Sequence, residues 1–377
     1  MKKKIAIIGA GIAGLTLANL LKKNSSFEFM VYEKDNSLSL DEGFGIQLSP
    51  NSVSVLNKIG FNKINPEKIY HPKILNFCTI QTKKICDLDL SQFNTGNTHY
   101  TTLQRSILIH FLIENIFQQH LRFGKRIKKV SEIKDKILIS FDDNTNDLVD
   151  NIVACDGVFS NTRSFFEIKK YEPKFKNAIA IRTILQSKNG LDIDDKNINL
   201  LMGSNLHMVI YPVNKKKELN LVCILREKNF DTGNTKSLIK KKLLSQNKNL
   251  SEVFRGEMKS WPLYSGQKII PTSNKKVFYL GDAFHGFLPT FAQGASQSIE
   301  GALELFILLE ENNNDIHKLY FKKRSERTNL IKKRSDLNFF VFHIKNLILK
   351  KIRDIILKRL VKNKTFLKNY IGEIYKN

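Results

Sequence analysis

The chain opens on a short segment in which every position is apolar. Residues 5–8 (IAII) have the pattern of a parallel strand that is buried on both faces. A glycine-rich turn at residues 9–14 follows directly, and residues 15–21 have helical composition and spacing. A second strand is predicted at Phe27–Tyr32, ending at Glu33. This order of strand, helix and strand within about 30 residues predicts the βαβ unit that binds dinucleotides.

The middle of the chain has a different hydrophobic pattern. Short segments rich in β-branched or aromatic residues alternate with polar turns, at positions 74–80, 178–185, 207–212 and 219–225. This pattern predicts a mixed or antiparallel sheet. A lone apolar strand at 277–280 then precedes a helical pattern at 295–309, and the tail from about residue 315 is helical and basic.

Composition restricts the class of protein. The 377 residues are 42% hydrophobic and 26% charged, as in a globular chain. The net charge of +25 suits a nucleic acid or an anionic membrane, but the lysines are scattered, so we interpret them as solvated surface charge and expect no nucleic-acid partner. The four cysteines form no Cys-x-x-Cys pair and have no histidine at metal-binding spacing, so no metal site is predicted. We expect a cytoplasmic location, because the sequence shows neither a signal peptide nor a spanning segment.

The glycine-rich turn has the spacing that phosphate binding requires. Gly9 would permit a tight turn, Gly11 would let the backbone approach a pyrophosphate, and Gly14 would allow close packing of helix on strand. Glu33 follows about twenty residues later, where a carboxylate accepts hydrogen bonds from ribose hydroxyls. Because an acidic residue here disfavours a 2′-phosphate, the pattern predicts FAD or NAD rather than NADP.

Further motifs distinguish between these cofactors. They lie at residues 45–51 (GIQLSPN), 103–108 (LQRSIL), 155–163 (CDGVFSNTR), 211–213 (YPV), 281–285 (GDAFH) and 289–295 (PTFAQGA). Together with the opening turn, they resemble the group A flavoprotein monooxygenases, and most closely the branch of salicylate hydroxylase and 3-hydroxybenzoate 6-hydroxylase. The resemblance spans about residues 3–330 and depends on the combination of motifs, since none is specific alone.

The resemblance implies an α/β fold. It consists of a Rossmann-like FAD-binding domain of the p-hydroxybenzoate hydroxylase type, with an inserted β-sheet substrate domain and C-terminal helices. We expect an FAD-binding domain at 1–70, 101–170 and 275–315, a substrate-binding domain at 71–100 and 171–274, and a helical tail at 316–377. We expect a monomer or a homodimer.

The resemblance also implies an activity. NADH or NADPH would reduce the bound FAD, and O2 would then form a flavin C4a-hydroperoxide. One oxygen atom would pass from it to a small aromatic substrate. In this scheme the protein supplies binding, orientation and exclusion of water, while the cofactor carries the redox step.

Site residues carry over from the family position by position. The residues implied to bind the cofactor are Gly9, Gly11, Ala13, Gly14, Glu33, Lys34, Arg105, Val130, Asp156, Gly157, Asp282, Pro289, Ala292, Gln293, Gly294, Ala295 and Ser296. Asp282 would bind the ribityl chain, and Asp156 with Gly157 would serve both FAD and the nicotinamide cofactor. A helix beginning after Gln293 would direct its positive end at the reduced, anionic flavin.

Three residues are implied to act on the substrate. His207 would accept a phenolic proton, Tyr211 would orient a ring or hydroxyl, and Gln293 would donate a hydrogen bond to substrate or peroxide. The alternative for each is a packed residue without a catalytic role. Three positions depart from the family pattern, and they put the substrate in doubt: Gln104 replaces a usual His, Ala292 a frequent Gly, and Gly301 a frequent acidic residue.

The tail leaves two alternatives open. Apolar residues at helical spacing between positions 340 and 360 alternate with lysine and arginine. We favour docking of this helix on the body of the enzyme, but such a helix can also lie on an anionic bilayer. The second arrangement would suit a related FAD monooxygenase with weak peripheral membrane contact and a quinone precursor or other lipophilic substrate. A non-enzymatic basic binding protein that keeps this fold is a third hypothesis.

Overall fold

The computed structural model describes residues 2–38, 44–167, 171–186, 191–216, 218–229, 234–254, 257–266, 274–312 and 315–376, without the side chains of 251 and 252. The strands are β1 (Lys3–Ile8), β2 (Phe27–Tyr32), β3 (Gly45–Leu48), β4 (Ile69–Tyr70), β5 (Ile74–Thr79), β6 (Lys84–Asp89), β7 (Thr101–Gln104), β8 (Leu121–Arg122), β9 (Ile127–Ile133), β10 (Lys136–Phe141), β11 (Asn146–Val149), β12 (Asn151–Ala154), β13 (Lys174–Leu185), β14 (Ile198–Met202), β15 (Leu206–Pro212), β16 (Leu219–Arg226), β17 (Lys259–Ser265) and β18 (Val277–Tyr279). The helices are α1 (Ile12–Leu21), α2 (Pro50–Lys58), α3 (Arg105–Glu114), α4 (Asn161–Ser164), α5 (Thr235–Leu244), α6 (Lys248–Glu252), α7 (Gly294–Glu310), α8 (Ile316–Phe342), α9 (Leu347–Leu360), α10 (Lys364–Leu367) and α11 (Glu373–Tyr375).

A five-stranded parallel sheet, ordered β18-β12-β1-β2-β8, forms one half of the molecule. In β1, every residue from Ile5 to Ile8 is buried. Successive strand side chains point to opposite faces, so both faces of the sheet are covered. The core around β1 includes α1, α7 and the small sheet β11-β10-β9. The predicted βαβ opening is confirmed.

A seven-stranded sheet, ordered β17-β13-β16-β15-β14-β5-β6, forms the other half. All neighbouring strands are antiparallel except β14 and β5, so the predicted mixed sheet is confirmed. Along β15, Leu206, Met208 and Ile210 belong to a core shared with α5 and α6. The alternate residues Val209 and Tyr211 pack instead with the C-terminal helices. The domain boundaries predicted above stay a prediction.

The C-terminal tail is not one continuous helix. α8 ends at Phe342, and α9 begins after Asn346, whose side chain accepts hydrogen bonds from the Ile348 and Leu349 amides at 2.9 and 3.1 Å. This N-cap starts a separate helix. The sequence pattern between 340 and 360 did not reveal this break. In the ranges given above, no helix is both long and apolar enough to cross a bilayer.

Candidate active site

Loops from distant parts of the chain meet at the carboxyl ends of β1, β2, β12 and β18. The Glu33 carboxylate after β2 accepts a hydrogen bond from the Ala10 amide at 2.8 Å. The Cys155 amide after β12 donates to the Ile8 carbonyl at 2.7 Å. Such an edge is where open parallel sheets bind nucleotides. The predicted ligands Gly9, Glu33 and Asp282 therefore lie on loops at the same edge of one sheet.

The glycines of the first turn divide into two kinds. Gly9 has a φ of 109°, and a Cβ there would lie 2.6 Å from the Cys155 carbonyl oxygen. A Cβ on Gly14 would lie 2.1 Å from the Gly9 oxygen, so α1 packs on β1 only with glycine there. A Cβ on Gly11, by contrast, would meet no atom of the described residues within 4 Å. The fold itself does not require Gly11, whereas a pyrophosphate against the backbone would.

The N-termini of α1 and α7 are both open to a ligand. Gly11 and Gln293 are their N-cap residues, and neither has a side chain that caps the backbone N–H groups of its helix. A Cβ on Gly294 would also meet no protein atom within 4 Å. Free backbone N–H groups at a helix N-terminus bind anions. The arrangement fits FAD, and the expected placement of its pyrophosphate at α1 and of its flavin ring at α7 stays a prediction.

The loop after β18 packs closely against α1. Ala13 is buried in α1, and a Cβ added to Gly281, whose φ is +64°, would lie 2.8 Å from the Ala13 Cβ. This contact brings the β18 loop, with Asp282, against α1. The Asp282 side chain is accessible to solvent, but the surrounding protein still desolvates its carboxylate and raises its pKa to about 6. An accessible carboxylate in a deep position is suited to accept hydroxyl hydrogen bonds from a ribityl chain.

Asp156 has a structural role in the described loop. Its carboxylate accepts hydrogen bonds from the Ser160 hydroxyl at 2.5 Å and from the Thr162 amide and hydroxyl at 2.9 and 2.8 Å. Gly157 supplies the left-handed turn, with a φ of 83°. The carboxylate thus fixes the loop before α4, and a direct contact with a cofactor stays a prediction.

The remaining predicted cofactor residues are spread more widely. Lys34 is exposed just after β2, and Arg105 is half-buried at the first position of α3. Val130 lies on β9, partly buried against the core of the parallel sheet. Ala295 is likewise half-buried against that core, in the first turn of α7. Their roles toward FAD stay predictions.

Gln293 and Ser296 direct their side chains into the protein. The Gln293 amide donates to the Ser49 hydroxyl at 3.3 Å and accepts from the Gln297 amide at 3.2 Å. The Ser296 hydroxyl accepts from the Ser49 amide at 3.2 Å. These hydrogen bonds join α7 to α2. The geometry therefore does not support direct contact of the Gln293 or Ser296 side chain with substrate or flavin.

A cavity of about 570 Å³ lies beside this region. Its walls are the β5, β14 and β15 face of the large sheet, residues 289–292, and helices α8 to α11. Its volume is in the range of about 300–1,000 Å³ typical of small-molecule sites. Pro289 and Ala292 belong to both the predicted flavin loop and the cavity wall. A molecule in the cavity would therefore meet the predicted flavin position.

His207 lines the cavity and is paired with a residue that the sequence did not single out. Its Nδ1 lies 2.8 Å from His343 Nε2, and the Arg226 Nε donates to His343 Nδ1 at 3.1 Å. Because arginine can only donate, His343 must carry its proton on Nε2 and donate it to His207 Nδ1. The proton of neutral His207 therefore lies on Nε2.

This arrangement argues against the predicted role of His207 as a proton acceptor. Burial lowers the pKa of His207 to about 3, and burial with the neighbouring His207 and Arg226 lowers that of His343 to about 2. A ring that is so weakly basic and already accepts a hydrogen bond at Nδ1 is a poor base. The neutral His207 ring keeps one hydrogen-bond donor, its Nε2–H.

Tyr211 lies on the same face of β15 as His207, but it does not line the cavity. Burial raises its pKa to about 12, and its hydroxyl lies within reach of Gln47. Gln47 lines the cavity and also accepts a hydrogen bond from the Tyr100 hydroxyl at 2.7 Å. Tyr211 can thus orient Gln47, while direct contact with substrate stays a prediction.

An ion-pair network behind α7 was also missed. The Glu300 carboxylate accepts hydrogen bonds from Arg324 at 2.8 Å, from Arg327 at 2.8 and 2.9 Å and from the Asn51 amide at 2.7 Å. Desolvation would raise the pKa of Glu300, but the two arginines outweigh it and hold the pKa below its ordinary value. A Cβ on Gly301 would lie 3.2 Å from the Arg324 Nε, which explains why this departure from the family pattern is a small residue.

Comparison with known proteins identifies the fold and the cofactor. A family model described as "FAD binding domain" matches residues 2–335. The chain belongs to this family. The 6-hydroxynicotinate 3-monooxygenase of Bordetella bronchiseptica is 25% identical to this flavoprotein over 355 residues, 89% of this chain and 91% of that one. The 3-hydroxybenzoate 6-hydroxylase of Klebsiella oxytoca is 23% identical, over 85% and 84% of the two chains.

The solved structures agree on the fold. HpxO of Klebsiella pneumoniae, complexed with FAD and uric acid, superposes on this flavoprotein with a TM-score of 0.84 at 17% identity, over 99% of this chain and 96% of that one. The predicted resemblance and the p-hydroxybenzoate hydroxylase-like fold are confirmed. The chain is an FAD-dependent monooxygenase.

Proposed function

We propose that this monooxygenase uses NADH or NADPH and O2 to hydroxylate a small, electron-rich aromatic ring. The observation that carries the proposal is the 570 Å³ cavity, whose lining includes Pro289 and Ala292 of the predicted flavin loop together with His207. Residues 9–14 are the one Gly-x-Gly-x-x-Gly pattern in the sequence. This supports a nicotinamide cofactor that visits the enzyme and does not reside in a second nucleotide domain.

The chain's own residues would bind, orient and exclude water. Gly11 and Glu33 would hold the nucleotide part of FAD, and the N-terminus of α7 would favour negative charge on the reduced ring. FAD, when bound and reduced, supplies the oxygen-transfer chemistry. The apolar cavity walls would keep water from the reacting centre, and the His207 Nε2–H would donate to an oxygen of the substrate.

The test is a screen of phenols, hydroxylated heterocycles and aromatic acids with FAD-loaded enzyme. We expect at least one class to stimulate NADH or NADPH oxidation, with one atom of ¹⁸O2 found in the product by mass spectrometry. A flat response, with hydrogen peroxide as the only product, would overturn the proposal.

A site variant tests the role of His207. His207→Leu should keep the FAD content, raise KM and increase the fraction of electrons lost to peroxide, because the substrate loses its hydrogen-bond donor. A proton acceptor would instead show its loss as a lower kcat with a changed pH profile. His110, exposed on α3, provides the matched control His110→Leu, which should leave all these values unchanged.

A further inference from the structure

The outer side of α9 exposes a contiguous apolar surface. Leu347 and Ile348 are 73% and 69% exposed, although both are large aliphatic residues. The α9 patch consists of Leu347, Ile348, Leu349, Ile352, Ile355 and Ile356, and Leu337 and Phe340 of α8 extend it. Isolated exposed apolar residues are ordinary, but contiguous apolar patches mark interaction sites. The expected docking of the tail on the body therefore accounts for only one side of α9.

The charges around the α9 patch are positive. The exposed residues Lys345, Lys351, Lys358 and Arg359 lie on α9 or directly before it. The acidic residue of α9, Asp354, is engaged by the Arg353 guanidinium at 2.7 and 2.9 Å. An apolar face bordered by cations is complementary to an anionic bilayer, where aliphatic side chains insert and lysines contact headgroups.

A second copy of the chain would fit this surface less well. A two-fold symmetric contact would bring the same patch together from both partners. The border cations Lys351, Lys358 and Arg359 of one copy would then meet cations of the other, and like charges across an interface oppose association.

The α9 patch is continuous with the cavity. Leu337, Phe340, Leu349, Ile352 and Ile356 are exposed to solvent and also line the cavity wall. The rim of the cavity is therefore part of the apolar surface. A molecule dissolved in a bilayer under α9 would reach the cavity without passing through water.

The charges of the cavity favour an uncharged occupant. Among the residues that line it, Arg353 alone carries a formal positive charge, and Asp354 already neutralises it. Within the part of the chain that the structure describes, the lining offers no other lysine or arginine to pair with a carboxylate. The two relatives described above are named for nicotinate and benzoate substrates, which are acids. The cavity of this chain is built for a more lipophilic ring.

From these observations we infer that the α9 patch docks on an anionic membrane surface, and that the cavity receives an uncharged, lipid-soluble aromatic substrate from it. The second half of this inference rests on the proposed hydroxylase function. The first half does not depend on turnover.

The docking is tested by co-sedimentation of the FAD-loaded full chain with phosphatidylcholine vesicles, with and without phosphatidylglycerol. We expect binding to the mixed vesicles, at least tenfold weaker binding without the anionic lipid, and loss of at least tenfold in affinity in I348E/I355E. Neither residue lines the cavity. The charge-matched control is I133E/L148E, which replaces exposed aliphatic residues of the small sheet β11-β10-β9 and should bind as the wild type does.

Two results would overturn the docking: a wild-type chain that stays in the supernatant with every vesicle, or I348E/I355E binding as tightly as the control. Light scattering after gel filtration gives the molar mass in solution and so shows whether the patch forms a dimer. If the wild type is dimeric and I348E/I355E monomeric, the patch is an interface between copies and the inference is wrong.

The substrate class is tested with 4-alkylphenols of increasing chain length and with the corresponding 4-alkylbenzoic acids. We expect KM to fall severalfold as the alkyl chain lengthens, with the acids at least tenfold worse than the phenols. A preference for the acids would overturn the substrate class. Vesicle binding without turnover on any ring would count against the hydroxylase function and leave the docking intact.

Discussion

Substitution by alanine should impair different properties at Gly11 and Gly14: FAD affinity at Gly11 and folding stability at Gly14. Both belong to one motif, but only Gly14 is required by protein packing. Gly11 has a φ of −83° and a ψ of −174°, which any residue adopts, and its Cβ position is free of protein atoms to 4 Å. Gly11→Ala should therefore fold normally and bind FAD poorly, whereas Gly14→Ala should damage the fold itself.

The structure sets the magnitudes. In Gly11→Ala, a weaker N-cap and a less flexible unfolded chain act in opposite directions, so the free energy of unfolding should change by no more than about 1 kcal/mol. A Cβ against the pyrophosphate should weaken FAD binding at least tenfold, which is about 1.4 kcal/mol. In Gly14→Ala, the Cβ would lie 2.1 Å from a backbone oxygen, and relief requires α1 to shift. Overpacking of this kind costs about 1–3 kcal/mol or more.

Two measurements separate the variants. Urea unfolding of the FAD-free proteins gives the stability, and titration with FAD, followed by quenching of flavin fluorescence, gives the affinity. The reasoning is refuted if Gly11→Ala binds FAD as tightly as the wild type. The prediction also fails if Gly11→Ala loses as much stability as Gly14→Ala, because the fold itself would then require a glycine at position 11.

Three further predictions concern stability. Folded His207 has a pKa of about 3 against an ordinary value of 6.5, so the unfolded chain binds the extra proton as the pH falls. His207 alone should therefore lower stability by about 2 kcal/mol between pH 7 and pH 5, in addition to the losses from the buried His285 and His343, whose pKa values are lowered as well. His207→Phe should accordingly show a smaller fall in urea midpoint between pH 7 and pH 5 than the wild type. Arg324→Met leaves the partly buried Glu300 carboxylate with less compensation and should cost about 3 kcal/mol in urea unfolding, part of which Glu300→Gln in the same chain should restore. Ala292 has a left-handed φ of 51°, so Ala292→Gly should raise the melting temperature, by up to about 1 kcal/mol in stability, with unchanged FAD content; a fall would contradict the strain argument.

Much of the fold was predictable because its signals are local. The all-apolar run at β1 and the glycine spacing after it predicted the nucleotide-binding edge, and the segment 207–212 corresponds to β15 within one residue. The sheet β11-β10-β9 was not predicted, since its outer strands carry many charged and polar residues and blend into the surrounding turns.

The chemistry of the site depended on contacts that sequence spacing does not encode. His343 lies 136 positions from His207, and the two meet only because α8 ends one residue before His343. The direction of the Gln293 side chain is likewise decided by Ser49, on another segment altogether. The family resemblance named His207 and Gln293, but the partner that fixes the tautomer of one and the rotamer of the other appears only in three dimensions.

The cavity draws more than half of its lining residues from beyond residue 335, where the match to the FAD-binding family stops. On the proposal that this cavity receives the substrate, much of the substrate pocket is encoded after the part of the chain that matches the FAD-binding family. Mutations in the last helices should then change the substrate preference and leave the FAD-binding residues unchanged. Such a division lets evolution, or an engineer, exchange one part and keep the other.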